Sequence, residues 1–179
     1  DLVRQSHQSM MDALYKLSVP VHCCIGNHDD AIGVCQSRDE DVFRKPILPD
    51  EMHRLCMKYC PTEENYYYID DPKAPYRYAF LNTSDLPYVR DENGRFPFVW
   101  RLEMSDKQIE WLEQEVLPTD RFVVLFSHCA IHNEGIFGSD GTKGYMVKPY
   151  DDMRGASRVY YNMKKHQNVV ALISGHVHY

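Results

Sequence analysis

The sequence predicts an α/β fold, a parallel sheet whose strands are covered on both faces and joined by helices. Two observations carry this. Three short apolar runs, residues 19–25, 122–126 and 169–173, lack the alternation of a half-exposed strand and are too short for helices. Segments with helical spacing of apolar residues stand before and between these runs. At 179 residues and 44% hydrophobic, the chain is one domain's worth and long enough to bury a core.

Taken in order, residues 4–17 form a helix, since Val3, Met10, Met11, Leu14 and Leu17 recur at helical spacing and Ser18 and Pro20 end the pattern. The first buried strand, 19–25, is closed by Gly26. Residues 50–60 read as a helix capped by Asp50, with Met52, Leu55, Cys56 and Tyr59 along one face. The aromatic-rich runs 66–69 and 76–81, separated by the turn-forming residues 70–75, predict an antiparallel pair. Ser105 and Gln108 form a capping box for a helix that carries Ile109, Leu112 and Val116 and stops at Pro118. Residues 129–150 hold Gly135, Gly138, Gly141 and Gly144 without periodicity, a loop of functional length. A last helix, 157–166, leads into the final strand. No repeat or linker interrupts the chain, so residues 1–179 are expected to form a single domain.

Composition excludes several classes. Twenty basic against 26 acidic side chains, net −6, with Lys and Arg scattered, offer no broad surface for nucleic acid. No apolar run approaches the roughly 18–20 residues of a membrane span, and the first residues do not read as a targeting segment. Cys23, Cys24, Cys35, Cys56, Cys60 and Cys129 contain no C-x-x-C pair and read as reduced, mostly buried thiols, which fits a cytoplasmic setting. Oligomeric state is not defined by these patterns.

The chemistry lies at the strand ends. The first run is followed by Asn27, His28 and Asp29, the second by Ser127 and His128, the third by Gly175, His176, Val177 and His178. Parallel strands joined by helical crossovers open their carboxyl ends onto one crevice, so these side chains are expected to converge. Four histidines and an amide oxygen suit a first-row transition metal. His176 and His178 flank one residue and, in an extended segment, point the same way; they share one ion or serve two neighbours.

In order and separation, Gly26-Asn27-His28-Asp29, Ser127-His128 and Gly175-His176-Val177-His178 resemble the last three blocks of the calcineurin-like metallophosphoesterase superfamily, and within it the bacterial and phage phosphoesterase domains. The resemblance implies an α/β/β/α architecture, a two-sheet sandwich flanked by helices. It also implies hydrolysis of a phosphoric mono- or diester by a hydroxide bridging two divalent ions, drawn from Mn, Fe, Zn or Ni. By position, Asn27, His128 and His176 would bind one ion and His178 the other. His28 would contact the phosphate and protonate the leaving oxygen, and Asp29 would hydrogen-bond its imidazole.

The chain departs from that pattern at its start. The family's D-x-H block, which supplies ligands to the ion on the His178 side, does not occur, and Glu51-Met52-His53 is a poor imitation of it on a helix. No internal G-D occurs either. Asp1-Leu2-Val3 resembles the segment that begins directly after that glycine, so Asp1 is expected to be the bridging aspartate of a domain whose first strand is missing. On that expectation the chain holds at most one ion well and has little or no activity alone. Three readings are open: a metal-dependent phosphoesterase, a scaffold of that family that has lost catalysis and serves as an interaction module, and a structural zinc protein. The last is disfavoured because Cys129 is the only cysteine near the crevice. His132, Lys143 and Lys148 read as loop surface, His7, His22, His53 and His166 carry no motif, and the tyrosines of 66–78 read as cross-strand pairs.

Overall fold

The computed structural model describes residues 2–30, 46–85, 89–94, 103–131 and 155–176. Its strands are β1 (Tyr67–Asp70), β2 (Tyr76–Leu81), β3 (Phe122–Ser127) and β4 (Val169–Ser174), in one sheet of order β1-β2-β3-β4. The first pair is the expected antiparallel hairpin, with Tyr67 opposite Phe80 and Asp70 opposite Arg77. β2, β3 and β4 run parallel. The helices are α1 (Leu2–Leu14), α2 (Pro49–Cys56), α3 (Asp106–Trp111), continued by a π-helical turn over Leu112–Val116, and α4 (Ala156–Lys165). The α/β class is therefore the predicted one. Of the sandwich's two sheets, one is formed among the described residues.

Strand alternation divides the core into two layers. Ala79, Leu81, Val123 and Leu125 meet Ile109, Leu112, Val116 and Val159 of the α3 and α4 side. Tyr67, Phe80 and Phe126 present the opposite face to Met11 of α1 and Met52 and Cys56 of α2. Each face is thus covered by its own helices, and at roughly 25 cal/mol per Å² such burial is the main stabilising contribution.

Four sequence expectations are corrected. Residues 20–26 pair with no strand among the described residues. They pack instead on the sheet's α1/α2 side: His22 stacks on Phe80 with ring centroids 5.0 Å apart and shares a 2.8 Å hydrogen bond with the Tyr67 hydroxyl, while Ile25 joins the Met11–Met52 core. Helix α1 turns Arg4, His7, Met11 and Leu14 inward, and Val3 and Met10 face outward. Arg4 is held in its inward place by a bidentate pair with Glu51 of α2 (2.6 and 2.7 Å) and a 2.9 Å bond to the Pro46 carbonyl. Among the described residues strand β4 lies at the sheet edge, with Val170 51% and Ile173 53% exposed, so it is not the fully buried strand expected. Finally, α2 is capped by Leu48 and begins with Pro49, whose missing N–H costs a helix start nothing; Asp50 sits in its first turn.

The capping box is half made. Ser105 Oγ accepts the Gln108 N–H at 3.2 Å, but the Gln108 side chain does not turn back to its own helix start. It is fully buried and clamps the end of β2, accepting Asn82 N–H through Oε1 and donating to Asn82 O through Nε2, both at 2.9 Å. The expected free thiols are found at Cys23, Cys24, Cys56, Cys60 and Cys129, and burial pushes Cys24 and Cys56 up to about 12, which keeps them protonated and unreactive.

One charged group secures the far end of the sheet. Arg77 of β2 is buried, pairs bidentately with Asp70 across the hairpin (2.7 and 3.0 Å), and lies 4.0 Å from the Tyr68 ring centroid. Its Nη1 donates to the carbonyls of Glu115 and Val116, the negative end of the π-helical turn. The guanidinium holds the Asp70 carboxyl below the usual carboxylate range. A carboxyl depressed in the folded state stabilises above its unfolded pKa and loses that contribution as pH falls through the folded value. Asp70→Asn is expected to flatten the fall of stability below about pH 4, measured by urea denaturation at successive pH values; an unchanged acid limb would contradict the pairing.

Candidate metal centre

Pairing in register brings the strand ends together: Leu81 lies beside Ser127, and Ser127 beside Ser174. Just beyond them the structure gathers three of the predicted ligands. His128 Nε2 stands 2.9 Å from Asn27 Oδ1 and 3.1 Å from His176 Nδ1, with the two imidazoles edge to face at a centroid distance of 5.0 Å. Because an amide oxygen only accepts, His128 Nε2 carries a proton in this arrangement and shares it between Asn27 and His176. Asn27 is fully buried, and its Nδ2 has no hydrogen-bond partner among the described residues.

Local backbone makes this convergence possible. A Cβ on Gly26 would lie 3.0 Å from the His128 ring, tighter than an ordinary contact, so glycine lets that imidazole approach the loop after residue 25 without having to shift. His176 adopts φ +65°, the left-handed region that a non-glycine residue enters at a cost of about 1–3 kcal/mol. Such a conformation persists where the surroundings hold it, and here the His176 ring meets that of His128. The turn over 27–30 is closed by Asp29, whose N–H donates to Gly26 O at 3.2 Å and whose Oδ2 accepts Gly26 N–H at 2.8 Å. The Asp29 carboxylate thus braces this turn; the expected bond to the His28 imidazole is not what it makes here. His28 itself is exposed at the crevice.

The loop bearing His128 is fixed from beneath. Cys129 N–H donates to Thr83 Oγ1 at 3.0 Å, and Ser127 Oγ donates to Cys129 O at 2.7 Å, all three residues being buried. Thr83 directly follows Asn82, the residue held by Gln108. A polar chain therefore runs from α3 through the end of β2 to the loop after β3. Beside it, a cavity lined by Ile25, Met52, Asn65, Asn82, Ser84 and Asp85 holds the Ser84 hydroxyl, which has no partner among the described residues.

With this geometry in view, comparison with known families is decisive. The family model for calcineurin-like phosphoesterases matches residues 3–179. The chain belongs to the calcineurin-like phosphoesterases. Neither a comparison with curated proteins nor one with solved structures finds a match. Membership in this phosphoesterase family points to metal-dependent hydrolysis of phosphoric esters. Among the described residues no three His, Cys, Asp or Glu side chains gather as a metal cluster, and the triad here is two histidines and an asparagine. Asp1 and His178, assigned to the bridge and the second ion, lie outside the described residues, as do His132, Lys143 and Lys148.

Reasoning from sequence missed three residues that build this site. Thr83 and Gln108 carry no motif for it, since their role depends on which strand end they face. His7 bonds Asp29 O at 2.9 Å, and its only signal was a polar residue on the inward face of a short helix. Thr83→Val removes the acceptor for a buried N–H and is expected to cost about 1–3 kcal/mol in chemical denaturation, whereas Thr83→Ser keeps most of it; equal losses would contradict the hydrogen-bond role.

Proposed function

We propose that this phosphoesterase hydrolyses phosphoric mono- or diesters and that Asn27, His128 and His176 hold one divalent ion for the reaction. The observation that carries this reading is the spacing of the three donors. Metal–ligand bonds of roughly 2.0–2.1 Å put neighbouring donors about 3.0 Å apart at right angles and about 3.4 Å apart in a tetrahedron. The 2.9 and 3.1 Å separations around His128 Nε2 fall at the first value. The donor set, two imidazoles and one amide oxygen, suits Mn, Fe, Zn or Ni. His178 and Asp1 are the residues proposed for a second ion.

When bound, the divalent ions supply Lewis-acid polarisation of the phosphoryl group and an acidified water. The chain's own residues do the rest. Coordination through His128 Nε2 requires the proton now shared with Asn27 and His176 to leave that atom, so binding is coupled to a tautomer change or proton release. His28, exposed beside the buried Asn27, would reach a leaving group and protonate its oxygen, while Asp29 keeps the turn that carries it closed. The orphaned Asn27 Nδ2 is a donor available to a phosphoryl oxygen or a water.

His128→Ala is expected to lower affinity for Mn2+ or Zn2+ by more than about tenfold in calorimetric titration, since a ligand weighs at least as much as the outer groups whose loss costs about 10–100-fold. His28→Ala should leave metal content intact and slow esters with poor leaving groups by about 10²–10⁴-fold, with little effect on activated esters. Equal loss on both kinds of ester would refute the acid role. Metal binding without turnover of any ester would favour the scaffold reading.

A further inference from the structure

His7 lies on the inward face of α1, opposite the turn that carries Asn27 and His28. Its Nε2 is 2.9 Å from the Asp29 carbonyl oxygen, which only accepts, so Nε2 carries the proton. Its Nδ1 is buried with no hydrogen-bond partner among the described residues. A leucine or methionine would fill this space without a stranded polar atom, so the position is explained by what the other ring nitrogen does. Helix α1 is anchored through the bidentate pair of Arg4 with Glu51 and the bond of Arg4 to Pro46 O, and the neighbouring Ile47 N–H in turn donates to Asp30 O at 3.0 Å. The helix is thus a fixed platform, and His7 is its reach toward the site. Asp29 passes the constraint on, since its own N–H and carboxylate both close onto Gly26, against which the His128 ring rests.

We propose that His7 is a positioning residue, a donor that pins the Asp29 carbonyl and so holds Asn27 in register with His128 and His176 and sets the direction of His28. This rests on the reading of Asn27 and His28 given above, in that it names a further residue serving the same site. The imidazole acts through the Nε2 proton that it donates to its carbonyl partner.

The test compares His7→Leu, which removes the donor, with His7→Gln, whose amide nitrogen sits near the position of Nε2; His7→Asn, with a shorter amide, replaces the leucine variant if that does not fold. Two quantities are read: amide hydrogen exchange at Gly26 and Asp29, and affinity for Zn2+ alone. The leucine variant should exchange about five to ten times faster at both amides and bind Zn2+ about five to ten times more weakly, while exchange at Met11 in α1 is unchanged and the glutamine variant stays within about threefold of the parent. Unchanged exchange in the leucine variant, equal losses in both variants, or faster exchange with unaltered Zn2+ affinity would each overturn the proposal. If the parent chain binds no Zn2+, the metal reading fails, and the exchange rates alone decide whether His7 holds the turn.

Discussion

Because β2, β3 and β4 run parallel, the chain leaves the sheet three times at the same end, and two of the three proposed ligands of the first ion, His128 and His176, are set at that end. The register places Leu81, Ser127 and Ser174 side by side. One residue later the chain reaches His128, and two residues later His176. A slip of one residue in either pairing would turn the strand's core face outward and carry its histidine away from the crevice. The apolar layers under α3 and α4 therefore do more than stabilise: Ala79, Val123 and Leu125, all fully buried, make the register that makes the site.

Polar clamps then refine what the ladder sets. Gln108 closes both backbone hydrogen-bonding groups of Asn82, Thr83 takes the N–H after His128, and Asp29 folds the Asn27 turn onto Gly26. Each is short, buried or half-buried, and expensive to leave unmade. Against that stiffness stand two costs, the left-handed backbone of His176 and the Nδ2 of Asn27, unpartnered among the described residues. Both fall on proposed ligands, as expected where a site is built for a group that completes its hydrogen bonding and coordination.

The fold was legible where a pattern had one physical meaning. Residues 76–81 coincide with β2, and the runs at 66, 122 and 169 lie within a residue or two of β1, β3 and β4, because aromatic and β-branched runs between turn formers have few other solutions. That Asn27, His128 and His176 would meet was legible because two of them closely follow parallel strands that end side by side. Residues 19–25 show where the reasoning ended: an apolar run states that it is buried, but whether it joins a ladder depends on a neighbour, and here His22 and Ile25 satisfy burial by lying on Tyr67, Phe80 and Met52. The inward turn of Arg4 and His7 was hidden because their partners, Glu51, Pro46 and Asp29, are distant in sequence. Gln108 fits a local capping motif yet commits its side chain to a strand, a choice that only tertiary packing determines.

The proposed chemistry depends on one ion meeting Asn27, His128 and His176 together. Long-range 1H–15N spectra of the histidine rings, recorded during titration with Zn2+, test it at the level of single nitrogens. His128 Nε2 and His176 Nδ1 both moving to the shifts of coordinated nitrogen with the first ion bound, while His22 and His53 stay in place, is the predicted result. Rings of His128 and His176 that remain unchanged at saturating Zn2+ would contradict it.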